Sequence, residues 1–259
     1  MTSEPNPFDS QNTKRQEPVV GKKPTNRVIE MFVVVGVVVL LIAILLPAVQ
    51  RAREMTASRL SNNRGLKSIG LALHNYHEIY GVLPPAYVTD ENGKPLYSWR
   101  VLLLPLLEEE QLYAEFELDK AWNEGHNRTL IERMPAVYRH HESFETPTGG
   151  QTRLLALVDE VEGRTMFLPG QSRSFGQFSR ELDQCALAID HPDFSCTWSE
   201  PRDVAPRDLL RRKGFVWPGP QESGVYLMFG DSSVRRIEQE DWGHLKEWAC
   251  PSVRSNKES

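Results

Sequence analysis

The chain of 259 residues is poor in the features that usually announce a function. It has three cysteines, too few for a small disulfide-built scaffold. It has no basic excess: 30 Lys and Arg face 35 Asp and Glu, a net charge of −5. Attraction to nucleic acid through released counterions is therefore excluded as its main chemistry, and no nucleic acid is expected among its partners. No Gly-rich phosphate loop occurs, since Gly163 and Gly170 stand singly. Gly230-Asp231-Ser232-Ser233 holds serine without the Gly-x-Ser-x-Gly spacing of a hydrolase elbow, and Asp190-His191-Pro192-Asp193 is not a calcium loop. A mean hydropathy of −0.44 excludes a polytopic membrane protein. What is present is an ordinary globular mixture, 40% hydrophobic and 25% charged, long enough to bury a real core.

One long apolar run stands out. From Met31 to Gln50 there is no charged residue, and as a helix the run would be roughly 30 Å long, the thickness of a bilayer's hydrocarbon core. It lacks the polar stripe of a soluble helix and exceeds the apolar region of a cleaved signal. The expected organisation is a polar tail at 1–27, a transmembrane helix at 28–50, a stem helix at 51–83 and an α+β domain at 84–259. Five basic residues flank the run on each side (Lys14, Arg15, Lys22, Lys23, Arg27; Arg51, Arg53, Arg59, Arg64, Lys67), a tie by the positive-inside rule. The usual arrangement of a signal anchor places the short tail in the cytoplasm and the domain outside it.

The segment from Val28 to Glu54 resembles the N-terminus of type IV pilins and pseudopilins, in which a Glu is followed seventeen residues later by a Pro. Here those positions are Glu30 and Pro47, with Gly36 between them on the same apolar helix. With LKSIGLALHNYHEIYGVLPP, SWRVLLLPLLEEEQLY, AWNEGHNRTLIERMPAVYR, TWSEPRDV and FGDSSVRRI, the chain resembles a bacterial family. That family joins a prepilin-type motif to a C-terminal domain of unknown function once given a solute-binding label. The resemblance implies a pilin-like fold: a long membrane-spanning helix continuing into a domain of short helices and an antiparallel sheet. It also implies a single-pass protein of the bacterial cytoplasmic membrane, with the lipid bilayer, other pilin-like subunits and envelope proteins as partners. The peptidase position falls at Thr25-Asn26 rather than at a small residue before an apolar one, so an uncleaved chain that builds no regular pilus is expected.

Beyond the run, Leu66, Ile69, Leu73, Tyr76 and Tyr80 recur at helical spacing, stopped by Gly81 and Pro84-Pro85. Asp90–Gly93 reads as a turn. Helical segments are expected from Ser98, with Pro105 as an interruption or a helix start, and over Asn127–Arg133. Arg153–Asp159, Arg164–Leu168 and Cys185–Asp190 suit strands. Gly224–Phe229 and Ser233–Ile237 flank a turn, the best hairpin signal in the chain, and Asp241–Ala249 suits a closing helix. Helices first and strands later indicate α+β.

Candidate chemistry is sparse. His74 and His77 share a helix face, but two ligands do not make a metal site, and packing is the favoured role. His140-His141-Glu142 reads as a loop. In an oxidising compartment Cys185 and Cys196 could close a short loop through a disulfide; buried thiols are an equal alternative. Six tryptophans suit core packing, with one or two left to meet a glycan or a protein. No catalytic residue, metal or cofactor is expected. Two functions follow: a non-enzymatic, membrane-anchored, pilin-like structural or assembly protein, and alternatively a membrane-tethered module binding a glycan or peptide.

Overall fold

The structure, a computed structural model, describes residues 35–37, 40–41, 43, 64–139, 149–178, 181–211 and 224–249. The chain divides into two compact units, Met1–Gln50 and Arg51–Ser259. In the first, residues 35–37, 40–41 and 43 are helical, with Val35, Val37, Leu40 and Leu41 exposed.

In the second unit, residues 64–80 form helix α1. Its stripe packs as the periodicity predicts, with Leu66, Ile69, Ala72 and Leu73 buried, while Tyr80 lies exposed and Tyr76 half-buried. Gly81 ends the helix with a positive φ of 74°, donating its N–H to the His77 carbonyl at 2.8 Å, as an αL cap requires. The opposite face carries Arg64, Lys67 and Glu78 in solvent. Leu71 and Ile79 are exposed beside these charges, and the buried apolar stripe packs α1 on the rest of this unit.

This corrects the expected architecture. Among the described residues no helix is long and apolar enough to cross a membrane. The long membrane-spanning helix, the single-pass membrane placement and the lipid bilayer as a partner are therefore not supported. Glu30 and Pro47 lie outside the described residues. Gly36 lies in the helical residues 35–37, and a Cβ added there would meet nothing within 4 Å.

After α1 come strands β1 (Tyr87–Thr89) and β2 (Pro95–Ser98), an antiparallel pair. The turn between them is the expected one: Asp90 Oδ1 accepts from the Asn92 and Lys94 N–H groups at 2.9 and 2.8 Å. The helical region after Ser98 is broken, as Pro105 requires, into α2 (Trp99–Leu102), a 3-10 turn at Leu104–Leu106 and α3 (Glu110–Glu115). Helix α4 (Asn127–Leu130) continues into a 3-10 turn at Ile131–Arg133.

Strand β3 (Gln151–Thr152) pairs with β6 (Cys196–Thr197). The main sheet is antiparallel, in the order β4 (Leu154–Ala156), β5 (Ala186–Asp190), β7 (Val225–Phe229), β8 (Val234–Ile237). The β7–β8 hairpin matches its sequence signal within a residue. The 164–168 run instead makes isolated bridges, Val158 to Phe167 and Leu168 to Gln171. Helices α5 (Pro206–Arg211) and α6 (Leu245–Ala249) complete the unit.

Strands β4, β5 and β7 are buried on both faces, which is why they read as nearly unbroken apolar runs, while the edge strand β8 keeps Arg235 and Arg236 half-exposed. Ala156, Ala188, Tyr226 and Met228 face the cluster that contains Ile69 and Leu73 of α1. Leu155, Ile189, Leu227 and Phe229 face a second cluster with Leu209 of α5 and Leu245 of α6. Successive side chains alternate in this way along a strand, except at Leu187 and Ala188, which share a face because the β5–β7 register shifts between Ala186 and Ala188.

Candidate functional site

Arg100 is a charge set in an apolar run, and burial demands that it be paired and hydrogen-bonded. Ser98 caps α2 and accepts from Arg100 Nη1 at 2.6 Å. Arg100 Nε and Nη2 donate to the Leu154 carbonyl at 3.1 and 2.5 Å. Nη2 also donates to Asp203 Oδ1 at 2.8 Å, in an ion pair whose side chains are 0% and 3% exposed. The backbone N–H of Ala156 donates to the same oxygen at 2.7 Å, and Trp99 Nε1 at 3.3 Å.

Asp203 is fixed by the backbone around it. Val204 N–H donates to the Ala156 carbonyl and Val158 N–H to the Val204 carbonyl, so the segment before α5 lies along the edge of β4. Pro206 then opens α5 at a position where its missing N–H costs nothing. Three donors thus converge on Oδ1, whereas Asp203 Oδ2 is buried and has no hydrogen-bond partner among the described residues. Burial pushes the Asp203 carboxyl above the usual carboxylate range, against the Arg100 charge and the donors that pull it down. An acceptor left unpaired in such a place costs about 1–3 kcal/mol.

Asp203 lines an open cleft of about 240 Å³, with Tyr87, Glu160, Arg202 and Arg207 among its walls. The Tyr87 phenol is raised, first by burial and then by the charges of Glu160 and Asp203. Arg207 also lines a second cleft, of about 360 Å³, with Asp159, Glu162, Arg211 and Lys246. The loop between the clefts is built by Asp159, whose Oδ1 accepts from the Val161 and Glu162 N–H groups, both at 3.1 Å. This leaves Val161 at its tip, 69% exposed.

The residues singled out from sequence lie elsewhere. His74 and His77 clamp the Phe175 ring, with centroids at 5.0 and 4.7 Å. His74 Nε2 donates to the Gly230 carbonyl at 2.6 Å, and His77 Nε2 accepts from the Phe175 N–H at 3.4 Å; both are packing groups. Among the described residues no three His, Cys, Asp or Glu side chains group as a metal site would need. Gly230–Ser233 is the β7–β8 turn, with Asp231 Oδ1 accepting from Ser233 N–H at 2.9 Å. Asp190–Asp193 is also a turn, in which Asp193 N–H donates to His191 Nδ1 at 3.1 Å. Trp99 and Trp198 are fully buried; Trp217 lies outside the described residues.

The suggested Cys185–Cys196 disulfide is not formed, since Cys196 keeps a free thiol. The reason is topological. Cys196 pairs with Thr152 beside Leu154, which is opposite Asp190, whereas Cys185 precedes the other end of β5. The five residues of β5 separate those ends by roughly 17 Å, beyond any disulfide's reach. Burial pushes the Cys196 thiol up to about 11.

The Asp203 site escaped the sequence reading because its parts are about a hundred residues apart. Its signal was present in two blocks, Ser98-Trp99-Arg100 and Thr197–Val204. A lone Arg in SWRVLLLP has to find a carboxylate, and Asp203 is that carboxylate.

Comparison with known proteins places residues 50–173 in similarity to a family described as a protein of unknown function (DUF1559), under the label SBP_bac_10. No curated protein matches the chain, and no solved structure matches it. The family match starts at Gln50, the last residue of the apolar run. It supports the domain-of-unknown-function part of the expected resemblance and lends nothing to the prepilin part. The pilin-like identity, the structural or assembly role and the pilin-like partners are corrected accordingly. What the chain shows is a globular domain of short helices and open antiparallel sheets.

Proposed function

We propose that this domain is a ligand-binding module whose site is the cleft over Asp203, and that it acts by binding rather than by catalysis. The observation that carries this is the buried Arg100–Asp203 ion pair under an open, polar cleft lined by Asp203 with Tyr87, Glu160, Arg202 and Arg207. A floor held rigid by Arg100, Trp99 and the Ala156 N–H keeps the polar cleft walls in place, and a preformed polar cleft favours a ligand with hydroxyl or amine groups. The solute-binding wording of the matched family label points the same way.

Non-catalytic action is favoured by the cleft's own chemistry. Its described lining residues include no hydroxyl or thiol hydrogen-bonded to a base, the arrangement that nucleophilic catalysis requires. A thermal-shift screen with sugars, amino acids and short peptides tests the reading. Ligands are expected to raise Tm, and Glu160→Gln with Tyr87→Phe, both at the cleft wall, are expected to abolish the rise while leaving the unliganded Tm within a degree or two. A rise that survives both substitutions would place binding elsewhere.

A further inference from the structure

Four of the seven tyrosines gather from three elements: Tyr76 and Tyr80 near the end of α1, Tyr97 in β2 and Tyr113 in α3. Tyr76 and Tyr80 are four apart and so neighbours on the helix, with ring centroids 4.4 Å apart and tilted by 41°. Tyr80 is 62% exposed, so Tyr76 supports one side of its ring while most of that ring meets solvent. Tyr76 and Tyr113 are half-buried and pack against the core. Tyr97 is only 4% exposed, in an edge-to-face contact with Phe116 at 5.5 Å.

The four hydroxyls lie within electrostatic reach of one another. Burial, then Tyr80 and Tyr113, pushes the Tyr76 phenol up. Burial, then Tyr113 and Tyr76, pushes Tyr97 up to about 12, and burial, then Tyr80, raises Tyr113. No charged side chain contributes to these three shifts, in contrast to Tyr87, which feels Glu160 and Asp203. None of the four hydroxyls has a hydrogen-bond partner among the described residues. The Tyr76, Tyr97 and Tyr113 oxygens nevertheless keep solvent-accessible surface. Tyr97 is thus a buried, fixed ring whose unpartnered hydroxyl opens toward those of Tyr76 and Tyr113.

We propose that this patch binds a neutral sugar, with the Tyr80 ring against the sugar's C–H face and the Tyr76, Tyr97 and Tyr113 hydroxyls bonded to its hydroxyls. A phenol offers an apolar ring and a polar tip, and its oxygen both donates and accepts, as a sugar hydroxyl does. Tyrosine also loses little conformational freedom on binding, since it has only two side-chain torsions, and Tyr97 has already lost its share by burial. A phosphate or carboxylate would find no cation among the groups that act on these phenols, and an ammonium would find no carboxylate. A purely apolar ligand would cover hydroxyls without bonding them. The patch shares no lining residue with the Asp203 cleft and is a second site.

Titration calorimetry of the full chain with maltotriose, cellotriose and chitotriose, and with choline as a cationic control, tests this. At least one of the sugars is expected to bind, and choline is not. Tyr80→Ala, a change at an exposed ring, should weaken the sugar at least about tenfold, and Tyr80→Phe, which keeps the ring, should weaken it less. Tyr97→Phe keeps the buried ring and removes only the hydroxyl, so binding should weaken about two- to tenfold, the share of one hydrogen bond. Sugar binding that survives both Tyr80→Ala and Tyr97→Phe would overturn the assignment, and so would sugar binding lost in Glu160→Gln instead. Choline bound in place of sugar, or no sugar bound by the folded protein, would overturn it as well.

Discussion

Arg100 and Asp203 illustrate how a buried charge organises its surroundings. The pair contributes little net stability as such, because desolvation offsets the attraction, but removing one partner strands the other. Arg100→Ala is expected to cost about 3–5 kcal/mol in urea unfolding, since it strands Asp203 and opens a void. A loss below about 1 kcal/mol, the range of an exposed pair, would show that the Arg100–Asp203 pair does not organise the site. Cys196 gives a second prediction at this scale. With its thiol pushed up to about 11 by burial, almost no thiolate exists at neutral pH. An alkylating reagent should modify Cys196 in urea and leave it unmodified over hours in the native protein, as peptide mass mapping would show.

His77 carries a pH dependence. Burial, followed by the neighbouring His74, holds its imidazole below the usual histidine value, and its Nε2 accepts the Phe175 N–H, which a protonated ring cannot do. The folded state therefore takes up this proton at lower pH than the unfolded chain. The stability His77 supplies is complete above its unfolded value near 6.5, and is lost as pH falls through the depressed folded value. Tm should fall between pH 7 and pH 5, and His77→Gln, which has no proton to gain, should flatten that fall. An identical pH profile in the variant would remove His77 from the account.

Between elements, the contact of α1 with the β7–β8 turn is the most demanding. A Cβ on Gly70 would lie 2.8 Å from the Cβ of Ser232 and 3.0 Å from its Cα, and neither atom belongs to a flexible side-chain end. Ala is favoured over Gly in a helix by about 1 kcal/mol, but forcing the turn away costs about 1–3 kcal/mol, and the turn is also held by the His74–Gly230 hydrogen bond. Gly70→Ala is thus expected to destabilise the protein, which chemical denaturation would show. A stabilised variant would mean that the hairpin moves freely.

Legibility from sequence followed the range of the interactions. The α1 stripe, its glycine stop, the Pro105 break and the β7–β8 hairpin depend on residues within a turn or two of each other, and all could be read. The 164–168 run could not, because its apolar residues serve a core built from distant segments rather than a sheet ladder. The Asp203 site stayed hidden for the same reason: three of its donors come from α2 and β4, and its carboxylate from the segment before α5. Only the isolated charge of Arg100 pointed toward it.

For the whole molecule, the apolar run led the sequence reading to a pilin-like membrane protein, and the described structure does not support that. The second unit instead presents a preorganised polar groove over a buried ion pair, and binding is the function this arrangement serves best. The Trp99 indole N–H donates to Asp203, so it senses a change in the charge or position of the carboxylate beneath the cleft. The most direct test is the nitrogen–proton correlation signal of that indole during titration with sugars, amino acids and trialanine. A saturable shift with at least one of them, absent in Glu160→Gln, is the result expected; an indole signal unmoved by all of them in a folded protein would contradict the assignment of a ligand site at Asp203.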